Sequence, residues 1–497
     1  MTHTVLGIDL GTSSVKCMLM DAGGRVRAAV GHAYPTSRPQ VGWAEQDPAD
    51  WITAIAAAVG ELKAREPRLV AGLGAIGLCS AAHIPVLLDA ADRVIRPAIL
   101  WSDQRSFVEV RRLDEGHRAL FERVALNRPG CTWTLPQLLW VRANEPEAWG
   151  RVRSLLCSRE YLAWRLTGVR ATDAAGAAAT LMADLPAGRW SPELVGLSGL
   201  AEAGLPAIGS AFAEVGRVTA AAADLFGLPA GVPVVCGTLD SAAELVGCGV
   251  LEAETTGMIM VGSSGGVMAV TDTASHHAGI ITYPHVVDGL WYKQAGTNSC
   301  ATSLQWIRSL FGSVPGAAGL GFDDLDALVE GTEPGAGGLM FHPYLQGERA
   351  PYWNPELKAS FSGIDQSHGS GHFVRAVMEG VAFSLKDCLT MFRANGLDMK
   401  TAVIAGGVAK SAVWTRIITD VLGLETFTTS DGESAFGACL IAAPRAGCFA
   451  TLGEAVAACV RRDRTFLPDP ETSERHAAAF DRYRSLAAFF DRSCRVA

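Results

Sequence analysis

A short pattern near the start of the chain recurs halfway along it, and this repeat constrains the fold more than any other feature. Residues 5–21 consist of an apolar strand, a polar turn with glycine, a second apolar strand and an acidic end. Residues 258–272 follow the same order, with Gly11 aligned on Gly262 at an offset of 251 residues. A repeat at half length indicates two domains of related architecture that face each other. A single repeated hairpin can also arise by chance, so both interpretations stay open here.

The chain length supports a division into two domains. A chain of 497 residues exceeds what one hydrophobic core usually holds, so two domains of about 200–250 residues each are expected. The repeat places the boundary near residues 249–254. We therefore predict an N-terminal domain over residues 1–249 and a C-terminal domain over residues 250–497.

Strand patterns alternate with helix patterns along the chain. Residues 232–236 form an apolar strand pattern that runs into a Gly-Thr-Leu-Asp turn, and helix-favouring residues follow from Ser241. In the second half, the periodicity predicts a long amphipathic helix over 371–392, a strand over 401–404 and a helix over 410–422. This alternation is typical of an α/β fold.

Composition and charge exclude several functional classes. The formal net charge of −9 argues against a nucleic-acid-binding surface. The sequence has no run of about 18 uncharged apolar residues, so no membrane span is predicted. The 12 cysteines form no C-x-x-C pair, which argues against a zinc ribbon or a redox dithiol. Buried thiols and an N-terminus without a signal-peptide pattern predict a cytoplasmic protein.

The first hairpin turn carries residues that suit phosphoryl transfer. That reaction needs backbone donors around the phosphates, a metal site and a group that takes the proton from the attacking hydroxyl. In the turn DLGTSS at 9–14, the glycine lets the backbone approach a phosphate, and Asp9 can hold Mg²⁺ directly or through water. Lys16 could reach an anionic oxygen. An ordinary hairpin turn explains the same residues, so both interpretations remain.

The second hairpin turn differs from the first in one informative way. Residues 262–266 carry glycines and serines but no acid, because Met260 stands opposite Asp9. Two phosphate-binding hairpins with one metal carboxylate would suit a single nucleotide held between two lobes. The sequence lacks the Walker A motif G-x-x-x-x-G-K-[ST], so it is not a P-loop enzyme.

Two further positions lie where α/β folds bind ligands. Asp240 follows a buried strand and precedes a helix, at the end of the sheet where ligands bind. The same position suits a helix N-cap, and the local sequence does not decide between these roles. Gly406 and Gly407 end a strand and open a helix, which would allow close approach of a flat ligand such as adenine.

Eight segments together resemble the FGGY family of carbohydrate kinases and its xylulokinase-like branch. They are GIDLGTSSVK at 7–16, WAEQDPADW at 43–51, RPAILWSDQR at 96–105, CGTLDSAAELVG at 236–247, VGSSGGV at 261–267, PYLQGERAPYWNP at 343–355, GHFVRAVMEGVAFSL at 371–385 and IAGGVAKSAVW at 404–414. They occur in the family's order and at its spacing. The resemblance covers nearly the whole chain.

The resemblance implies a fold, a cofactor and a set of residue roles. Each domain would have an actin-like, ribonuclease H-type ATPase fold, with MgATP and a sugar in the cleft between the two domains. Homodimers are common in the family. By position in the matching segments, Asp9 would be the metal-associated acid and Asp240 the catalytic base; Gly11, Thr12, Ser13, Lys16, Gly262 and Ser263 would contact the phosphates, and Gly406, Gly407 and Ser411 the adenosine.

The predicted sugar pocket departs from the xylulokinase pattern. Xylulokinases typically carry Gln-Met-His-Gly after the third strand of domain one, whereas residues 81–84 here are Ala-Ala-His-Ile. The implied sugar contacts are Ala82, His83 and Ser241, the last replacing a common Asn. Lost polar partners can shift substrate preference strongly. His83 could equally be a core histidine. Trp101, Asp103 and Arg105 either contact sugar hydroxyls or shape their loop.

The resemblance implies ATP-dependent phosphorylation of a sugar hydroxyl, with D-xylulose converted to its 5-phosphate as the leading example. The altered loop leaves other acceptors open, such as ribulose or an erythritol-type polyol. Two alternatives belong to other classes. An actin- or chaperone-like ATPase would use the same hairpins for conformational work, and a non-catalytic sugar sensor would retain the fold without the reaction.

Overall fold

The computed structural model describes residues 3–253, 256–313 and 320–495. The predicted boundary segment ends at Glu254, and residues 254–255 lie outside the described residues. Residues 1–2 of the predicted N-terminal domain and residues 496–497 of the predicted C-terminal domain also lie outside them.

The first half of the chain begins with a hairpin and then alternates helices with short strands. Its strands are β1 (Thr4–Leu10), β2 (Ser14–Met20), β3 (Val26–Ala33), β4 (Glu45–Gln46), β5 (Leu73–Ser80), β6 (Pro85–Leu88), β7 (Ala98–Ile99), β8 (Ser154–Cys157), β9 (Ala171–Asp173), β10 (Ala183–Asp184), β11 (Arg189–Trp190), β12 (Ala207–Gly209), β13 (Glu214–Arg217), β14 (Pro233–Val235) and β15 (Thr238–Leu239). Its helices are α1 (Pro48–Arg65), α2 (Pro67–Ala71), α3 (Phe107–Leu120), α4 (Thr134–Asn144), α5 (Pro146–Arg151), α6 (Ser158–Thr167), α7 (Ala174–Ala179), α8 (Pro192–Ser198), α9 (Ala220–Phe226) and α10 (Asp240–Gly247), with a π-helical turn at Phe121–Ala125 and a 3₁₀ turn at Glu202–Gly204.

The second half also begins with a hairpin and has longer helices. Its strands are β16 (Thr256–Val261), β17 (Gly265–Thr271), β18 (Ile281–Pro284), β19 (Trp291–Thr297), β20 (Met340–His342), β21 (Ser360–Ser362), β22 (Thr401–Ala405), β23 (Glu425–Thr429) and β24 (Arg462–Phe466). Its helices are α11 (Ala301–Gly312), α12 (Phe322–Glu330), α13 (Ser370–Ala394), α14 (Ala412–Leu422), α15 (Ser434–Ala442), α16 (Leu452–Cys459) and α17 (Pro470–Arg495), with 3₁₀ turns at Ala336–Gly338 and Gly407–Lys410.

The two large sheets have the same strand order. Over the described residues each contains seven strands, and the shared order is β13-β14-β5-β1-β2-β3 in the first and β24-β23-β22-β16-β17-β19 in the second. The central strand pairs in parallel with β5 or β22 and antiparallel with β2 or β17. The repeat therefore extends from one hairpin to six strands of each sheet. The predicted α/β fold class with two related sheets is confirmed.

Most predicted elements of the second half lie within two residues of the observed ones. The strand predicted over 401–404 is β22, and the helix predicted over 371–392 is α13. The helix predicted from residue 410 begins at Ala412 instead. Its start is fixed by Ser411, whose Oγ accepts a hydrogen bond of 3.0 Å from the Trp414 N–H, because a capping hydroxyl replaces the helical acceptor that a first turn lacks.

Helix α15 joins the two halves of the molecule. It belongs to the second half of the chain, yet it packs on β1, β2 and β5 of the first sheet and on α10. All of its residues from Ala435 to Ala442 are buried, and a helix that is apolar on every side is stable only inside a core. Its N-terminus thereby lies beside the ends of β1 and β15. Among the described residues, no helix combines the length and apolarity that crossing a membrane requires.

A backbone constraint at Gly237 can be tested by substitution. Gly237 has φ of +70°, and a Cβ there would lie 1.7 Å from the carbonyl oxygen of Leu78. We expect Gly237→Ala to lower the free energy of unfolding by about 2–4 kcal/mol, because the left-handed backbone and the clash both act against the native state. Urea unfolding followed by circular dichroism measures the change.

The matched control for this variant is Gly60→Ala in α1. A Cβ at Gly60 has nothing within 4 Å, so alanine should raise the stability by up to about 1 kcal/mol through its higher helix propensity. Equal effects of the two substitutions would contradict the role assigned to Gly237.

Candidate active site

Two carboxylates meet at one edge of the first sheet. Asp9 lies near the end of β1, and Asp240 is the first residue of α10, directly after β15. Strands β1 and β15 both pair in parallel with β5, so their carboxyl ends open at the same edge, where α/β folds place ligands. Glu244 follows one turn later on α10, and Glu433 directly precedes α15.

Burial and mutual repulsion raise the pKa of these acids. Burial, followed by the charge of Asp240, raises the pKa of Asp9 to about 7, although the Cys79 thiol and the Lys16 ammonium lower it. Burial also raises the pKa of Asp240 to about 6. For Glu244, burial and the charges of Asp240, Asp9 and Glu433 raise the pKa to about 8. Such a cluster favours a proton or a cation, because like charges in a poorly hydrated site repel.

Asp240 does not cap its helix. Its Oδ1 accepts a hydrogen bond of 2.7 Å from the N–H of the next residue, Ser241, rather than from residues two or three further on, which a capping side chain would bind. Its Oδ2 has no hydrogen-bond partner among the described residues. A carboxylate with one oxygen held and one available can accept a proton from a bound hydroxyl.

Asp9 fits one ligand of a divalent cation. Its Oδ1 is buried and has no hydrogen-bond partner, although a buried carboxylate oxygen normally has one. Among the described residues, no three His, Cys, Asp or Glu side chains are placed to hold a metal ion by themselves. This donor set suits Mg²⁺, which usually binds one or two carboxylates and completes its shell with water and substrate phosphates.

The two hairpin turns predicted to hold phosphates have similar geometry. Gly11 donates its N–H to the Ser14 carbonyl at 3.1 Å, and Gly262 donates to the Ser264 carbonyl at 2.9 Å. Ser13 and Ser263 are the exposed residues at the two tips. The Thr12 hydroxyl accepts a hydrogen bond of 2.9 Å from the Trp101 indole.

The structure pairs Lys16 with Glu433. Their side chains are 2.5 Å apart and remain 40% and 49% exposed, and an exposed ion pair of this kind stabilises a protein little. The Lys16 ammonium group lies beside the carboxylate cluster, where it lowers the pKa of Asp9. Binding of phosphate by Lys16 stays a prediction.

The residues predicted to contact adenosine follow β22. Ala405 pairs with Met260 in the parallel register of β22 and β16, so Gly406 and Gly407 continue beside the second hairpin turn. Ser411 caps α14, and its hydroxyl also donates a hydrogen bond of 2.8 Å to Asp326. The Ser411 hydroxyl therefore already has protein partners, and its contact with a nucleotide stays a prediction.

His83 lies where the two halves of the chain meet, with both ring nitrogens bound. It is 4% exposed, and burial lowers its pKa to about 4, so the ring is neutral at pH 7. Its Nδ1 donates to the Ala179 carbonyl at 2.7 Å, because a carbonyl can only accept. The remaining nitrogen, Nε2, accepts a hydrogen bond of 2.8 Å from the Tyr283 hydroxyl. These contacts favour a positioning role over a free substrate contact, and Ala82 beside it offers only a methyl group.

An aromatic cluster surrounds His83 and was missed by the sequence analysis. The Trp133 ring centroid lies 4.7 Å from that of His83, and Tyr283 stacks on Tyr292 at 5.1 Å. The Tyr292 hydroxyl is 2.9 Å from the Ser241 hydroxyl, directly beside Asp240. No local pattern marks these aromatic residues, since they come from separate strands and loops.

The loop that carries Trp101, Asp103 and Arg105 is held by internal contacts. Arg105 pairs with Asp103 at 2.8 Å and with Glu45 at 2.5 Å, and its guanidinium lies 3.8 Å from the Trp43 ring centroid. The Asp103 and Arg105 side chains are each 1% exposed. These observations favour the loop-shaping alternative for these two residues, whereas Trp101 reaches the first hairpin.

Comparison with known proteins connects this geometry to a family. Residues 4–247 match the N-terminal domain of the FGGY family of carbohydrate kinases, and residues 257–446 match the C-terminal domain. The chain is 32% identical over 488 residues to a xylulose kinase from Lactococcus lactis subsp. lactis, covering 97% of this chain and 96% of that protein. It is 34% identical over 446 residues to a xylulose kinase from Escherichia coli K12, and the alignment covers 88% of this chain and 89% of that protein.

A solved structure shows the same fold. The xylulose kinase from Rhodospirillum rubrum superposes with a TM-score of 0.88 at 29% sequence identity, and the alignment covers 99% of this chain and 100% of that chain. The similarity therefore includes both sheets and the cleft between them.

Substitution of Glu244 tests the electrostatics of the cluster. Its folded-state pKa is raised to about 8 from 4.5, so the stability that its protonated form contributes is complete below pH 4.5 and is lost as pH rises to about 8. Glu244→Gln removes this loss. We expect the free energy of unfolding of the variant, relative to wild type, to increase steadily from about pH 5 to about pH 8.5.

Urea unfolding at several pH values in this range measures the trend. The control is Glu471→Gln on α17, where the glutamate is 77% exposed, and the difference from wild type should stay flat with pH. A flat difference for Glu244→Gln as well would contradict the raised pKa.

Proposed function

We propose that this chain, which belongs to the FGGY family of carbohydrate kinases, transfers the γ-phosphoryl group of ATP to a hydroxyl of a pentulose. The leading acceptor is D-xylulose, with its 5-phosphate as the product. The curated relatives named xylulose kinase, which align over nearly the full chain, support this acceptor class. The matches give no support to an actin- or chaperone-like ATPase or to a non-catalytic sensor.

One observation carries the proposed mechanism. Asp240 follows β15 at the same sheet edge as Asp9, and the hydroxyl of its neighbour Ser241 lies 2.9 Å from the Tyr292 hydroxyl. The Asp240 Oδ2 has no hydrogen-bond partner among the described residues. At neutral pH its carboxyl is ionised, because its pKa of about 6 lies below 7. It therefore accepts the proton of the attacking hydroxyl as the phosphoryl group transfers in line.

The remaining roles follow from the position of each residue. Asp9 would hold Mg²⁺, which neutralises charge on the phosphate oxygens. The turns at residues 11–13 and 262–263 offer backbone N–H groups and hydroxyls to the phosphates, and residues 406–407 offer an open surface to adenosine. Residues 1–249 would supply the sugar and metal side, and residues 250–497 the nucleotide side. The 12 free cysteines suit a cytoplasmic location.

A panel of acceptors tests the proposed reaction. Purified protein with MgATP is assayed for ADP release with D-xylulose, D-ribulose and erythritol, and without acceptor. We expect the highest kcat/KM with D-xylulose, since the similarity to xylulose kinases extends over both domains. Preferred phosphorylation of erythritol would contradict the pentulose, and ADP release that is independent of any sugar would contradict the kinase reaction.

Replacement of Asp240 tests its role as the base. Asp240→Asn keeps the shape of the side chain and removes the proton acceptor, so kcat should fall by at least ~10²-fold while ATP affinity stays unchanged. In the wild type, kcat/KM should fall as pH decreases through about 6, because the protonated carboxyl of Asp240 no longer accepts a proton.

Steady-state kinetics between about pH 5 and 8 and calorimetric ATP titration measure both effects. Asp398→Asn serves as the control, since Asp398 is 72% exposed on the surface, and its kinetics should match the wild type. Near-normal turnover of Asp240→Asn would remove Asp240 from the mechanism.

A further inference from the structure

Arg349 is a cation in the cleft that the proposed mechanism does not use. It belongs to the segment PYLQGERAPYWNP at 343–355, for which neither the sequence analysis nor the proposed function supplies a role. Its Nη2 donates one hydrogen bond of 3.2 Å to the Thr297 carbonyl. Its Nε is buried without a partner. Within the described ranges, no carboxylate is at ion-pair distance from the guanidinium.

The neighbouring Glu348 does not neutralise Arg349 directly. Its Oε2 accepts a hydrogen bond of 2.5 Å from the Thr297 hydroxyl. Its Oε1 accepts from the backbone N–H groups of Asn298 and Arg349, both at 2.8 Å. Glu348 therefore fixes the two backbone segments beside the guanidinium, and its oxygens are already engaged. This arrangement holds the backbone of Arg349 in place without satisfying the donors of its guanidinium.

The guanidinium is placed by close contacts with both halves of the molecule. A Cβ at Gly296 would lie 2.8, 2.9 and 3.1 Å from Nη2, Cζ and Nη1 of Arg349, so the side chain rests directly on the bare backbone of β19. Its other neighbour is Trp101 of the first half, whose ring centroid is 5.6 Å from Cζ. Arg349 thus contacts both halves of the chain.

The charge of Arg349 acts on residues of the aromatic cluster. Its positive charge lowers the pKa of His83, after the larger effect of burial. The same charge lowers the pKa of Tyr283, whereas burial and the negative charge of Asp240 raise it. Arg349 and Asp240 therefore act on the Tyr283 phenol with opposite signs, so charges of both signs lie near the aromatic cluster.

A partly buried guanidinium whose Nε is buried, with a single acceptor among the described residues, has unused donors. Arginine has five N–H groups in a planar fork that suits two oxygens lying in one plane, and a buried charge without partners is unfavourable. We propose that Arg349 is a specificity-determining residue that binds the acceptor through two coplanar oxygens, away from the hydroxyl that faces Asp240. The carbonyl and adjacent hydroxyl of a 2-ketose present such a pair, and so does the carboxylate of an aldonate.

This inference rests on the proposed function and is tested in the same kinase assay. Arg349→Gln removes the charge, and Arg349→Lys keeps the charge but removes the fork. Gly296→Ala retains the arginine and displaces its guanidinium. The control is Arg393→Gln, at an arginine that is 43% exposed on α13. For each variant, KM and kcat are measured with D-xylulose and with D-gluconate, together with KM for ATP and the melting temperature.

We expect Arg349→Gln to raise the acceptor KM by about 10- to 100-fold, the factor that one or two charge-assisted hydrogen bonds supply. KM for ATP should stay within about twofold, since such bonds are made only to the acceptor. Arg349→Lys and Gly296→Ala should raise the acceptor KM as well, and the control should not. A raised KM for D-xylulose in Arg349→Gln identifies the ketose oxygens as the ligand. If the wild type prefers D-gluconate instead, the proposed pentulose acceptor is wrong, and a raised KM for D-gluconate in the variant identifies a carboxylate as the ligand of Arg349.

Two outcomes would overturn the inference. An unchanged acceptor KM in Arg349→Gln would make the residue structural, and a raised KM for ATP alone would place it on the phosphates. If Arg349→Gln does not fold, as judged by its melting curve, Gly296→Ala gives the deciding KM values. A wild-type protein that phosphorylates neither D-xylulose nor any other acceptor would refute the proposed function itself, independently of Arg349.

Discussion

The packing of α15 against the first sheet is the contact on which the rest of the structure depends. This helix comes from the second half of the chain, but its apolar sides are buried on β1, β2, β5 and α10. Because it bridges the two halves, it holds the second half of the chain against the first sheet. The same contact brings Glu433 to the ends of β1 and β15, where it adds a fourth carboxylate to Asp9, Asp240 and Glu244.

The two sides of this cleft have different chemical character. The side of the hairpins is rich in carboxylates, exposed serines and backbone donors, which suits a metal ion and phosphates. The opposite side is aromatic and nearly dry, with His83 held neutral between Ala179 and Tyr283. Asp240 lies where these two environments meet. A proton acceptor at such a boundary can face a bound hydroxyl on one side and the phosphates on the other.

Features that depend on neighbouring residues were predictable from the sequence. The hairpins, the strand at 401–405 and the long helix α13 follow from apolar periodicity and turn residues. The helix predicted from Lys410 begins two residues later, because the Ser411 side chain caps it. Contacts between distant residues were not predictable. His83 meets Tyr283, which is 200 positions away, and Trp101 meets Arg349. The motif around Arg349 could be seen in the sequence. That its guanidinium has unused donors could be seen only from the structure, which places it on the backbone of Gly296 and shows that the Glu348 oxygens are already engaged.

Two hydrogen bonds of the aromatic cluster also affect how easily the two halves of the chain separate there. His83 to Tyr283 and Ser241 to Tyr292 each connect the first half of the chain to the second. Separating both pairs breaks two buried hydrogen bonds, each of which contributes about 0.5–1.5 kcal/mol. Their combined loss costs about 1–3 kcal/mol, so the two halves can separate on this side at a modest energetic cost, which a molecule supplying replacement partners for the hydroxyls offsets.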